Sequence, residues 1–126
     1  MFQGFNLCRV ELADMVSATS FTAHTFSENE CEKNVFVIDL IGVTSWDTAK
    51  KADRALLATR EFLEGREIWS DSYFSKDDPL GTLASVYVKA EDMMWHDAVC
   101  IFDEHGEYLP WLCLSTWLLS EGYATQ

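Results

Sequence analysis

The segment VFVIDLIGV (35–43) constrains this chain more than any other. Only Asp39 interrupts it, and its β-branched residues favour extended backbone, so it reads as a central strand buried on both faces. The next stretch is equally definite. Thr44 and Asp47 stand in capping-box spacing. The segment TAKKADRALLATREFLEG then carries Ala49, Ala52, Leu56, Thr59 and Leu63 on one helical stripe, with Gly65 as the C-terminal stop. A strand leading directly into a helix therefore occupies the middle of the chain.

The flanks read as more strand. FNLCRVEL (5–12) alternates loosely, and MVSATSFTAHTF (15–26) is rich in β-branched and aromatic residues, with Phe21 and Ala23 on one face. SENECEKN (27–34) reads as a hairpin loop. Beyond the helix, REIWSDSYF (66–74) and TLASVYVKA (82–90) read as the fourth and fifth strands, joined by the turn SKDDPLG (75–81). A small hairpin turns at DEHGE (103–107), and WLCLSTWLLSEGYA (111–124) closes the chain as a second helix. Its apolar face is Trp111, Leu112, Ser115, Leu118 and Leu119, with Gly122 as its end. With 126 residues and no repeat, linker or low-complexity tract, a single domain over 1–126 is expected. Five strands with a helix between the third and fourth is the plan of a β-barrel of OB type, a mainly β, α+β fold.

Charge narrows the partners. The net charge is −12, with six basic against nine acidic residues in 1–63 and three against twelve in 64–126. Phosphate binding draws its affinity from lysine and arginine, so nucleic acid and anionic membranes are disfavoured. Solubility alone explains an acidic surface, and a DNA-mimicking surface is the sharper alternative. No stretch approaches a membrane-spanning length, and the N-terminus lacks a basic region followed by an apolar one. Cys8, Cys31, Cys100 and Cys113 form no CxxC pair and read as reduced thiols, with Cys113 a small core residue. A zinc site would have to recruit His24, His96 or His105 from scattered positions, so no metal and no cofactor is expected. Lys50, Lys51 and Arg54 cluster on the outer face of the first helix and read as a solvated face rather than an anion site.

Three stretches resemble one family. IDLIGVTSWDTAKKADRALLATREFLEGREIW is similar to the third strand and first helix of staphylococcal-nuclease-like domains, typically VRLIGIDTPE before an alanine-rich helix. DDPLGTLASVYV resembles that family's D-x-YGRxLAxVYV, and GEYLPWLCLSTWLLSEGYA its G-x-x-(V/L)N-x-x-LV-x-x-GYA close. The matches keep their order from about residue 16 to the C-terminus. The resemblance implies an OB-fold nuclease scaffold. Family members cleave phosphodiesters with calcium held by carboxylates, a glutamate that activates water and two arginines that stabilise the transition state.

The matching positions here do not carry that chemistry. Laying VSATSF on the family's V-D-G-D-T-F sets Thr19 at a metal aspartate, and Thr44 falls at the second. Asp39 stands at the first arginine, Gly81 at the second, and Asp47 at the glutamate, one methylene shorter. No arginine lies between Lys33 and Arg54 or after Arg66, so a shifted alignment restores neither. The expectation is a catalytically degenerate scaffold, not an enzyme. An alternative keeps a divalent-metal nuclease with Asp39 and Asp47 joined by Asp77 or Asp78.

The chain also departs by an insertion, KAEDMMWHDAV (89–99). Met93, Met94, Trp95 and His96 there read in two ways: Trp95 folds back over one end of the barrel, or the group forms an apolar knob for a partner. Trp46, at the family's proline position, is a further interaction candidate or a plug in a vacated cleft. The function expected is a structural or protein–protein interaction subunit, in a homo- or hetero-oligomeric assembly such as a phage or virus particle. Its location would be cytoplasmic or virion. An acidic DNA-mimic inhibitor of a nucleic-acid-binding protein is the alternative.

Overall fold

A computed structural model of the chain describes residues 8–25, 35–70, 82–104 and 107–126. The strands are β1 (Cys8–Ser17), β2 (Ser20–Thr25), β3 (Val35–Leu40), β4 (Ile68–Ser70), β5 (Thr82–Ala84), β6 (Val86–Lys89), β7 (Val99–Glu104) and β8 (Glu107–Cys113). The helices are α1 (Ala49–Leu63) and α2 (Leu114–Ser120), with a short 3-10 helix at Glu91–Met93. The fold is thus a mainly antiparallel sheet with two helices, an α+β class. Its strand order is β5-β3-β2-β1-β4-β6-β8-β7. Among the described pairings only β3 with β5 is parallel. β5 and β6 are separated by Ser85 alone, so one stretch bonds to β3 at its start and to β4 at its end.

The first hairpin turns later than the sequence predicts. β1 runs through Ser17, taking Met15–Ser17 from the expected second strand, and the chain reverses at Ala18 and Thr19. The reason is two irregularities. Leu12 pairs with Ala23 but Asp14 with Thr22, so Ala13 is extra, and Val16 is extra by the same count. Each bulge moves the inward phase on by one residue. Val10, Leu12, Met15 and Ala18 therefore face the core, whereas strict alternation would have turned Asp14 inward. Asp14 is instead exposed and accepts a 2.8 Å hydrogen bond from Arg60 Nη2 on α1.

β3 is not buried on both faces as expected. Phe36, Ile38 and Leu40 are buried, while Val35 and Asp39 are exposed. Ile41 lies beyond the strand end and is also exposed. An apolar run here conceals ordinary alternation, and Asp39 marks its outer face. The core collects Phe21, Ala23, Ile38, Ile68, Ala84, Val86, Val88 and Leu112, each 2 % exposed or less.

α1 packs Ala55, Thr59 and Leu63 inward, a stripe rotated from the one expected. The buried Thr59 hydroxyl donates to the Ala55 carbonyl at 2.8 Å, which satisfies it within the helix. The capping box does not form. Thr48 is the N-cap and makes no side-chain cap bond, and Thr44 pairs with Thr125 instead. Gly65 does end the helix, at φ 76°. α2 is shorter than predicted because Trp111–Cys113 complete β8, opposite Tyr87–Lys89. It buries Leu114, Trp117 and Leu118 and closes with Tyr123 N–H on the Leu118 carbonyl (2.8 Å) and Gly122 N–H on that of Leu119 (3.2 Å). That pair of bonds needs the left-handed φ of 76° which Gly122 supplies without strain. The fourth strand is described at Ile68–Ser70; residues 5–7, 27–34 and 71–81 lie outside the described residues, and with them the expected loop and turn.

Alternation in β3 has a direct test. Ile38→Ala should destabilise by about 2–5 kcal/mol in urea unfolding, whereas Val35→Ala should change stability by less than about 0.5 kcal/mol. Burial on both faces would make the two costs similar.

Candidate interaction site

Two regions gather the residues that the sequence singles out. The first is the rim formed by the β1–β2 turn and the loop 41–48. Thr19 Oγ1 and Ser45 Oγ are hydrogen-bonded at 2.9 Å, and Ser17 Oγ lies 3.4 Å from the same Thr19 oxygen. Thr44 exchanges both backbone bonds with Thr125, at 2.6 and 2.8 Å. Trp46 Nε1 donates to the Gly122 carbonyl at 2.9 Å, and Lys51 Nζ stands 4.7 Å from its ring. Ser115 Oγ donates to the Ile41 carbonyl at 3.0 Å. Thr19 and Thr44 thus lie on one rim, Thr19 in a hydroxyl cluster with Ser17 and Ser45 and Thr44 tied through its backbone to the C-terminal segment. Asp39 and Asp47 are exposed. Gly81, Asp77 and Asp78 lie outside the described residues. Among the described residues no three His, Cys, Asp or Glu side chains converge as they would around a metal ion.

The second region is the tip between β6 and β7. Trp95 is 76 % exposed and Met94 52 %, so the ring does not fold back over the sheet. Met93 is half-buried against the core. His96, expected on the surface with them, is turned inward and 7 % exposed. Its Nδ1 accepts from Ala98 N–H at 3.0 Å, which leaves the ring proton on Nε2, 2.8 Å from Glu121 Oε1 at the end of α2. Backbone bonds from Met93 to Ala90, His96 to Met93 and Val99 to His96 wind the tip tightly.

Its other anchor is Arg66, which follows α1. The guanidinium donates to both carboxylate oxygens of Asp92 at 2.9 and 2.8 Å and lies 4.6 Å from the Phe62 ring. The paired hydrogen bonds from Arg66 hold the Asp92 carboxyl well below its usual range, at about 2, and raise Arg66 in turn. Lys89 lies 3.4 Å from Glu91 and 4.0 Å from Glu67. Beneath them a groove of about 980 Å³ runs between β1 and the end of α1, lined by Arg9, Arg60, Arg66 and Lys89 together with six acids.

Neither anchor is visible in the sequence, since each joins residues 25 or 26 positions apart. The signal for His96 is local: Trp95 and Asp97 point out while His96 and Ala98 point in. Cys8, Cys100 and Cys113 are free, and Cys113 is half-buried at the end of β8 rather than a core residue; Cys31 and His105 lie outside the described residues. No helix among the described residues is long and apolar enough to cross a membrane. No family model matches the chain, and neither a curated protein nor a solved structure does.

Two measurements probe the tip's anchors. The Asp92 carboxyl is depressed on folding, so its pairing contributes above pH 3.8 and is lost as the pH falls through about 2. The difference in urea midpoint between the wild type and Asp92→Asn should therefore be steady above pH 3.8 and shrink toward zero at pH 2. His96→Ala leaves the buried Ala98 N–H without its acceptor and should cost about 1–3 kcal/mol in the same assay at neutral pH.

Proposed function

We propose that this chain is a non-catalytic, nuclease-like OB barrel that serves as a structural or protein-binding subunit of a larger assembly. Strand connectivity supports the scaffold. β1, β2 and β3 form an antiparallel meander, β5 runs parallel to β3, β6 continues to β4, and β4 returns to β1. That is the ring order of a five-stranded barrel with a helix between its third and fourth strands. β8 and β7 extend it as a hairpin.

The observation that carries the non-catalytic reading is the Thr19–Ser45 contact at 2.9 Å. Where the resemblance calls for metal carboxylates stand the neutral Thr19, its hydroxyl paired with Ser45, and Thr44, bonded through its backbone to Thr125. Such groups neither attract a divalent cation nor neutralise a phosphorane. Removing a single electrostatic stabiliser from such a site costs about 10²–10³ in rate, and here several are replaced together. The protein-binding half of the reading rests on the exposed, firmly anchored Met94–Trp95 tip.

The protein should release no acid-soluble nucleotides from DNA or RNA with calcium, magnesium or manganese, and Asp47→Ala should change nothing. Divalent-dependent cleavage abolished by Asp47→Ala would establish a degenerate enzyme instead. In parallel, gel filtration of material from the native source should find the chain in a species well above its own 14.4 kDa. Elution as a lone monomer overturns the assembly reading.

A further inference from the structure

Exposed apolar side chains are scattered over this surface, with Val16, Val35, Ile41 and Leu57 on four different segments. Among the described residues, only at Met94 and Trp95 are two adjacent large ones exposed together. A tryptophan that is 76 % exposed is usually mobile, but this one stands on a support with little freedom. Asp92 is gripped by Arg66 on one side of it and His96 by Glu121 on the other. The backbone ordering that a partner would otherwise have to impose on the turn is already in place, which favours tight docking of a bulky aromatic.

Charge identifies the occupant. No lysine or arginine follows Lys89, while residues 90–126 contain seven acids. Glu91, Asp92, Asp97 and Glu121 are all exposed around the tip, and Asp97 makes no ion pair among the described residues. Glu121 reaches the tip through His96, whose ring is 5.4 Å from that of Trp95. The surface is an apolar knob inside an acidic rim. Its complement is an apolar pocket rimmed by cations. Anionic lipid and nucleic acid have the wrong sign. A second copy of this chain fits poorly, since each brings a net charge of −12. Its groove cations Arg60, Arg66 and Lys89 are already paired with acids.

We propose that Trp95 and Met94 dock into an apolar pocket rimmed by lysine or arginine on a different polypeptide, with Glu91, Asp97 and Glu121 opposite those cations. This rests on the chain's being a protein-binding subunit. The apolar contact supplies the hold, and the rim charges steer the approach and fix orientation.

The test uses the full-length chain in its complex from the native source. Carbodiimide cross-linking, which joins carboxylates to lysines in contact, is followed by peptide mass spectrometry. Cross-links from Glu91, Asp97 or Glu121 to lysines of another polypeptide are expected. Trp95→Ala, folded by circular dichroism, should weaken reassembly with that polypeptide by at least about 30-fold. Glu91→Lys with Asp97→Lys should slow association about 10-fold or more at low salt, and Leu57→Ala should have no effect. Cross-links confined to this chain's own lysines, or a complex that Trp95→Ala leaves unchanged, overturn the docking surface while the subunit reading stands. A wild-type chain that elutes alone overturns both.

Discussion

Thr82–Ala84 run parallel to β3, and one residue later Val86–Lys89 run antiparallel to β4. A single stretch of backbone shared between two neighbours brings the last strands back toward the first, and the interior depends on it. Ala84, Val86 and Val88 are all fully buried. Ala84 pairs with Leu40 just before the stretch changes partner. Among the described strands β5 and β7 stand at the two ends of the order, and β5 is tied back into the sheet because it runs on into β6.

The same arrangement determines what the rim of the sheet can do. Loop 41–48 is held by backbone pairing to Thr125, by Trp46 on the Gly122 carbonyl and by Ser115 on the Ile41 carbonyl. Polar groups of the kind that receive a ligand are spent on internal bonds. The tip beyond β6 differs, since it leaves Met94 and Trp95 exposed among acidic side chains.

Much of this is legible in the residues. The strand-then-helix centre, the Gly65 and Gly122 stops, the hairpin before the last helix and the prominence of 89–99 all come from local pattern. The departures share a cause: each needs information from across the molecule. A bulge at Ala13 is a property of pairing with β2, not of the string CRVELADMVS, so the end of β1 is not legible locally. VFVIDL reads as doubly buried until one knows that Val35 and Asp39 are exposed. Trp111 and Leu112 fit a helical stripe equally well, but β6 offers them a strand partner. At the tip, residue type identifies Trp95 as notable, yet its exposure depends on Arg66 and Glu121, which hold its neighbours rather than the ring itself.

Those two anchors are themselves connected. Arg66 lies on the Phe62 ring, Phe62 stacks on Trp117 at 4.2 Å, and Trp117 belongs to the helix that ends at Glu121. From Glu121 the path returns through His96 to the tip and through Asp92 to Arg66. The result is a triangulated truss, whose three members are the end of α1, the end of α2 and the turn 91–96. A truss resists rotation as well as displacement, so the turn that carries Trp95 is braced from both helices. What freedom the exposed indole keeps lies in its own side-chain torsions and not in the turn beneath it.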